Sequence, residues 1–335
     1  MKTMALPGTD LVGSEIIMGN FRIEFLPELA EREAYIKAAL DEGINFFDHS
    51  DVYGTSNPLG KSDELFAQVL DLKSSIRDQL IIQSKVGSVY MHTADGRRVG
   101  IHDLSKEHIL ESVEGSLRRL NTDYLDILVM HRTDPLMRPE EIAAAFDELH
   151  ASGKVRYFGV SNSTPMRMEL LRKHLNQPLV VDQLHLSLVD TALIDYTARV
   201  PPYSGPTETF DSGAGVLDYC RIHDIQIQSW SPLTYFSPVQ RQRNPNSFHP
   251  YVPFVDDDRQ FGPLNEALAR IGDRYGIPKL GVVVAWFLTH PARIQPVIGT
   301  SSPTRIRDLA SGSGVTLTRE EWYELYFAAG NTAII

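Results

Sequence analysis

The sequence predicts an α/β fold, a (β/α)8 TIM barrel with long loops on the face formed by the strand C-terminal ends. Eight short runs rich in Ile, Leu and Val recur along the chain, separated by longer segments whose apolar residues repeat at helical spacing. Eight such units fit within 335 residues, the size of an ordinary barrel. An open dinucleotide-binding sheet would instead carry Gly-x-Gly-x-x-Gly after its first strand, and no such string occurs.

The first strand is expected at Glu15 to Met18, leading into Gly19, Asn20 and Phe21. A helix carrying Ile36, Ala39 and Leu40 stops at Gly43, just before the second strand, Ile44 to Phe47. The third strand is Leu80 to Gln83. A stripe of Ile109, Val113, Leu117 and Leu120 then marks a helix between Ser105 and Asn121. In the fourth strand, Leu125 to Met130, Ile127, Leu128, Val129 and Met130 are consecutive, which suits a parallel strand covered on both faces.

Ile142, Phe146 and Leu149 repeat at helical spacing from Pro139 and end at Gly153; the fifth strand, Val155 to Val160, follows. Thr164 and Pro165 open the next helix. The sixth strand is Leu179 to Val181, the seventh Ile225 to Gln228 and the eighth Ile294 to Ile298. Two long interruptions, Ser187 to Asp211 with Pro201, Pro202 and Pro206, and Ser231 to Gly262, follow strands. In a barrel those connections lie on the active face, so they are read as pocket or lid loops. Tyr90, Tyr235, Phe236 and Phe254 either line that pocket or pack against the barrel. No linker, low-complexity tract or strong repeat divides the chain, so residues 1–335 are read as one domain.

Composition narrows the function. The charge balance is 32 Lys and Arg against 43 Asp and Glu, or −11, which repels nucleic acid and anionic membranes. Hydrophobic residues at 42% and charged residues at 22% describe a folded globular chain. With Cys220 as the only cysteine, neither an internal disulfide nor a thiolate zinc cluster is available, and a reducing cytoplasm is expected. Met1 to Asp10 lacks the apolar core of a secretory signal, and no stretch is long and apolar enough to span a bilayer.

A barrel gathers chemistry by placing polar residues just beyond different strands. Asp48 follows Phe46 and Phe47, with Tyr53 five positions on; Lys85 follows Ile81, Ile82 and Gln83; His131 follows Val129 and Met130. A carboxylate, a phenol, an ammonium and an imidazole are thus expected at one mouth. An ammonium beside Tyr53 should lower the phenol pKa from its usual value of about 10 and ease proton transfer. Asp48 would anchor Lys85, and His131 could hydrogen-bond a substrate oxygen.

These strings resemble the aldo-keto reductases, in particular a bacterial subgroup of oxidoreductases. The resemblance rests on Gly43-Ile44-Asn45-Phe46-Phe47-Asp48 with Tyr53-Gly54, Ser84-Lys85, and Asp123-Tyr124-Leu125-Asp126 leading to His131-Arg132. It continues through Gly159-Val160-Ser161-Asn162, Gln183, Trp230-Ser231-Pro232-Leu233, and Gly299-Thr300 leading to Arg305. Coverage is roughly Glu15 to Asp308.

The resemblance implies a (β/α)8 enzyme that reduces an aldehyde or ketone with NADPH, with NADH left open and no metal. It implies Tyr53 as general acid, with Asp48, Lys85 and His131 completing the catalytic set. Ser161, Asn162 and Gln183 are implied to hold the nicotinamide amide, Trp230 to stack on its ring, and Ser231 and Leu233 to lie along the pyrophosphate. Gly19, Asn20 and Phe21 resemble an early cofactor loop.

Thr300, Ser301 and Ser302 precede a helix start that offers backbone donors to a phosphate, and Arg305 can pair with it. Gly299 and Leu309 stand where some members have Lys and Asn. Ser163 stands where relatives often have an aromatic.

Two rival readings remain. Some relatives bind NADPH yet act as regulatory subunits of membrane channels, with little turnover of their own. His49 and Asp51, on the same loop as Asp48, would be the start of a metal-dependent barrel hydrolase site, although no complete ligand set is visible.

Overall fold

The computed structural model describes residues 1–54, 59–96, 98–198, 215–236 and 251–331. Eight parallel strands close into a barrel. They are β1 (Ile17–Gly19), β2 (Phe46–Asp48), β3 (Ile81–Val86), β4 (Leu125–Met130), β5 (Val155–Ser161), β6 (Leu179–His185), β7 (Gln226–Trp230) and β8 (Gln295–Ile298). Each strand pairs with its neighbours in sequence, and β8 pairs with β1 to close the ring. All eight expected strands are present, but β3, β5, β6 and β7 run one to four residues beyond their apolar runs. Those extensions carry Lys85, Ser161, Gln183 and Trp230. The chain in this region is polar because the upper barrel interior is polar, not because the strand has ended.

The lower end of the barrel is sealed. Thr3–Ala5 and Val12–Ser14 form an antiparallel hairpin that the apolar periodicity did not suggest. Its Leu6 and Leu11 pack with Ile17, Phe46, Ile81 and Ile127 at the strand N-terminal ends. Among the described residues the cleft opens at the C-terminal face, where polar side chains replace apolar ones.

Helices cover the outside. Lys106–Leu120 begins at Ser105, whose hydroxyl accepts from the His108 amide, and ends at Asn121, which adopts the left-handed conformation favoured there. Lys279–Thr289 is apolar on nearly every side and lies against both Asp258–Tyr275 and Pro303–Ala310. Gly281 and Gly312 allow the close approach on one flank: a Cβ on Gly312 would sit 2.1 Å from the Gly281 carbonyl oxygen. Trp286 stacks on Trp322 with centroids 4.9 Å apart on the other. Among the described residues no helix is long and apolar enough to cross a membrane.

The first long loop differs from expectation, whereas Ser231 to Thr234 and Pro253 of the second border the barrel mouth as expected. The described part of the first, Ser187 to Ala198, contains the helix Ala192–Ala198 and buries Leu188, Leu193 and Ile194 in the core rather than facing the barrel mouth. Its remainder, with Pro201, Pro202 and Pro206, and residues 237–250 of the second loop lie outside the described residues. A hairpin that the sequence reading missed, Ser88–His92 with Arg98–His102, follows β3 and also borders the mouth.

Candidate active site

At the top of the barrel the polar residues form layers. Asp48 on β2 is 1% exposed, and Lys85 on β3 is fully buried. The Lys85 ammonium donates to Asp48 Oδ2 at 2.5 Å, to the His49 carbonyl at 3.0 Å and to the Tyr53 hydroxyl at 2.9 Å. All three of its protons therefore have acceptors, which is what allows a charge to be buried here. Asp48 Oδ1 accepts from Gln83 Nε2 at 2.7 Å and Gln183 Nε2 at 3.2 Å. Gln228 links these amides, accepting from Gln83 and Gln183 and donating to Gln83.

The segment carrying Tyr53 is stitched to β3. His49 N donates to Gln83 O, Asp51 N to Lys85 O, and Tyr53 N to Ser50 O in a turn. The Phe21 ring meets Tyr53 edge-on with centroids 5.3 Å apart, and His131 meets it edge-on at 6.0 Å. The expected lowering of the Tyr53 pKa is corrected. Burial raises it above the ordinary phenol value, and the nearby Lys85 ammonium opposes that shift without reversing it. Tyr53 is consequently a phenol, not a phenolate, at neutral pH.

Lys85 itself is penalised by burial, but Asp48 and Tyr53 more than offset this and hold its pKa above that of a free lysine. His131 behaves oppositely: burial first, then Lys85, Arg132 and His102, push it well below the usual imidazole range. Its ring is therefore neutral at physiological pH. His131 Nδ1 lies 3.1 Å from Ser50 Oγ.

A cleft of about 710 Å3 runs from Tyr53 across the barrel mouth to Arg305. Gly19, Phe21, Asp48, Tyr53, His131, Ser161, Asn162, Gln183, Trp230, Ser231, Leu233, Thr300, Ser301, Ser302 and Arg305 line it. Asn20 does not, which corrects its expected place. It is fully buried, with its amide nitrogen 2.9 Å from His49 Nε2 and its oxygen accepting from the Tyr35 hydroxyl. Lys85 does not line the cleft; it lies behind Asp48 and Tyr53 and donates to both.

Asn162 and Ser231, just past β5 and β7, adopt positive φ of 55° and 56°. Non-glycine residues rarely hold this conformation, and such strain concentrates at functional sites. Asn162 is pinned on three sides: its amide donates to the His131 carbonyl and to Ser161 Oγ, and its oxygen accepts from Trp230 Nε1 at 3.1 Å. The Trp230 indole also rests on His185, with ring centroids 4.4 Å apart. At the far end Ser302 caps Pro303–Ala310 by accepting from the Arg305 amide. Arg305 Nη2 is 2.7 Å from both carboxylate oxygens of Asp256.

Residues 15–326 match the sequence model of the Aldo/keto reductase family. The chain belongs to that family. The 6-dehydroglucose reductase of Agrobacterium fabrum is 34% identical over 325 residues, covering 94% of each chain. Uncharacterized oxidoreductase YcsN of Bacillus subtilis is 32% identical over 323 residues, 95% of each. The solved structure of a glycerol dehydrogenase from Gluconobacter oxydans superposes with a TM-score of 0.74, covering 97% of this chain and 94% of that one, at 22% identity. This aldo-keto reductase is accordingly an oxidoreductase on a TIM barrel.

Several residues at or beneath the cleft escaped the sequence reading, the buried Gln83 and Gln228 beneath it. Gln83 and Gln228 read as ordinary polar ends of strands, yet they build the amide layer under Asp48. Arg22, whose guanidinium donates to the Gly299 carbonyl, and Arg132 and His102 line the cleft. Arg132 directly follows His131, and that adjacency was the available signal. The residues of the rival metal reading are turned apart. His49 uses its two ring nitrogens on Asn20 and Asp63, whereas Asp51 accepts from Ser50 at 3.2 Å.

Asp51 carries a testable penalty. Burial is the largest influence on its carboxyl, which is pushed up to about 7 from an ordinary value of 3.8. Between those values the unfolded chain has released a proton that the folded chain keeps, so stability falls as pH rises through that window. Above about pH 7 the penalty is complete. Asp51→Asn is expected to raise the unfolding free energy at about pH 8 by roughly 1–3 kcal/mol, an advantage that disappears near pH 4. Urea unfolding at the two pH values checks it.

Proposed function

We propose that this oxidoreductase reduces an aldehyde or ketone to an alcohol with NADPH, Tyr53 acting as the general acid, as a single-domain cytosolic enzyme. The observation that carries the reading is the buried chain from Asp48 through Lys85 to the Tyr53 hydroxyl, which opens on the cleft. Tyr53 holds its proton at neutral pH, the form a general acid needs. As the proton leaves, the Lys85 ammonium 2.9 Å away stabilises the negative charge that builds on the phenol oxygen. Asp48 keeps that ammonium charged and in place. The neutral His131 ring would hydrogen-bond the substrate oxygen.

The lining suits an extended nicotinamide dinucleotide. Amide and hydroxyl groups of Ser161, Asn162 and Gln183 stand near Tyr53, and hydroxyls with Arg305 stand at the far end. Trp230 and Leu233 add apolar surface to the same cleft. Ser161, Asn162 and Gln183 would hold the carboxamide, Trp230 would pack on the ring, and the Thr300 to Ser302 segment with Arg305 would hold the adenosine phosphate. When bound, that cofactor supplies the hydride. The Arg305–Asp256 pair is partly exposed, so it is weak enough to exchange for a phosphate.

The named activity of the Agrobacterium relative, 6-dehydroglucose reductase, supports a small oxidised substrate of this kind. A spectrophotometric screen of aldehydes and ketones with NADPH and with NADH tests the reading. Turnover of a carbonyl by NADPH is expected. Tight NADPH binding with negligible turnover across the panel would favour the regulatory-subunit reading instead. Arg305→Ala is expected to lower the NADPH over NADH preference about tenfold to a hundredfold, the worth of a charge-assisted contact to the extra phosphate.

A further inference from the structure

One hydrogen-bonded string next to the site is not used by this mechanism. Ser50 Oγ lies 3.1 Å from His131 Nδ1 and 3.2 Å from Asp51 Oδ1. Ser50 is fully buried and Asp51 is 8% exposed, so both depend on protein partners rather than bulk water. A serine has one proton to give and stands here between two groups that can each accept it. We propose that Ser50 and Asp51 are positioning residues that set the tautomer of His131, and so decide whether its Nε2 presents a donor or an acceptor to the substrate oxygen.

The proton count follows from the geometry. With Asp51 protonated, its carboxyl donates to Ser50 Oγ, the Ser50 hydroxyl donates to His131 Nδ1, and the ring carries its own proton on Nε2. That state gives a carbonyl oxygen a hydrogen bond. With Asp51 ionised, the Ser50 hydroxyl turns to the carboxylate, His131 Nδ1–H donates to Ser50 Oγ, and Nε2 is left bare. One proton, that on Nε2, passes to solvent between the two states, while the protons of Asp51 and Ser50 each shift one place along the string towards Nδ1, so the total falls by one. Carbonyl reduction is favoured by the first state; the second suits acceptance of a proton from an alcohol.

The string titrates within a charged setting. Asp63, on Lys61–Ala67, and Arg119, on Lys106–Leu120, act on Asp51 directly, and Ser112 hydrogen-bonds it. His108, Glu111, Glu114 and Arg118 border the same hollow of about 670 Å3. Lys85, Arg132 and His102 bear on the His131 side. The burial that places the Asp51 titration near neutrality supports a change of tautomer within the working pH range.

The consequence for turnover rests on the carbonyl-reducing reading; the tautomer itself does not, so two measurements separate them. The first is kcat for aldehyde reduction at saturating NADPH from about pH 6 to about pH 8.5. Wild type is expected to fall about fivefold or more across this range, Asp51→Asn to lose that slope, and Ser50→Ala to lose both slope and rate, which Ser50→Thr restores. A wild-type profile that is flat, or a slope that survives in Asp51→Asn or Ser50→Ala, overturns the proposal.

The second is nitrogen NMR of protein labelled in histidine, with His131 assigned by its Gln variant. Wild-type His131 is expected to pass from the Nε2–H to the Nδ1–H form over the same range and Asp51→Asn to stay in one form. An unchanging tautomer in wild type overturns the proposal. If no carbonyl is turned over, the function reading fails and this measurement alone decides the tautomer proposal.

Discussion

Replacing Tyr53 by Phe is expected to lower kcat for carbonyl reduction by about 10²–10⁴-fold, the contribution of a positioned general acid, while NADPH affinity changes by no more than about threefold. The substitution keeps the ring and hence its edge contacts with Phe21 and His131. It removes only the hydroxyl, which is the group Lys85 reaches. Lys85 retains Asp48 and the His49 carbonyl as acceptors, so the folded state should lose only about 1 kcal/mol, the net worth of one hydrogen bond. Loss of rate with little loss of stability or cofactor binding separates a chemical role for Tyr53 from a packing role. Steady-state kinetics, a fluorescence titration with NADPH and urea unfolding of the same protein provide the three readings.

Lys85→Met should be damaging in both respects. Lys85 and Asp48 form a buried ion pair, and removing one partner strands the other: the cost is about 3–5 kcal/mol, far more than an exposed pair would show. Gln83 and Gln183 still donate to Asp48, which limits the loss but does not neutralise the carboxylate. The pH dependence has a definite sign. Because the folded pKa of Lys85 is raised above its unfolded value, its contribution to stability is complete below about pH 10.5 and is lost only as pH rises through the higher folded value. The Lys85 side of the stability gap between wild type and Lys85→Met should therefore persist to about pH 9 and fade only in strong alkali. The Asp51→Asn advantage, by contrast, builds up between about pH 4 and pH 7 and is full above that. Activity should also collapse in Lys85→Met, since the phenol oxygen of Tyr53 would develop charge with no ammonium beside it.

The barrel was legible because eight apolar runs at regular spacing have few other solutions, and Asp48, Tyr53, Lys85 and His131 were legible because they stand at the ends of those runs. The limits have physical causes. Apolar periodicity stops at the first polar residue, whereas β6 continues through Asp182, Gln183 and His185 into a polar barrel interior. Gln83 and Gln228 were passed over for the same reason. Asn20 was placed in the cleft because Gly19, Asn20 and Phe21 resemble an early cofactor loop, but only the fold shows that its amide turns inward to His49 and Tyr35.

The direction of the Tyr53 shift was missed for a different reason. Sequence can place an ammonium near a phenol, but it does not reveal how much water the fold removes from both, and here desolvation prevails. The Ser88–His102 hairpin and the hairpin over the barrel floor are built from short strands whose partners are local, so they leave little trace in a pattern tuned to the barrel.

The most direct measurement of the central claim is a single-turnover experiment: enzyme preloaded with NADPH is mixed with a reactive aldehyde, and loss of the reduced-nicotinamide absorbance is followed beside alcohol formation in wild type and Tyr53→Phe. The account predicts a fast, stoichiometric loss in wild type and a slowing of about 10²-fold or more in the variant at equal cofactor occupancy. Equal rates in the two proteins would contradict it.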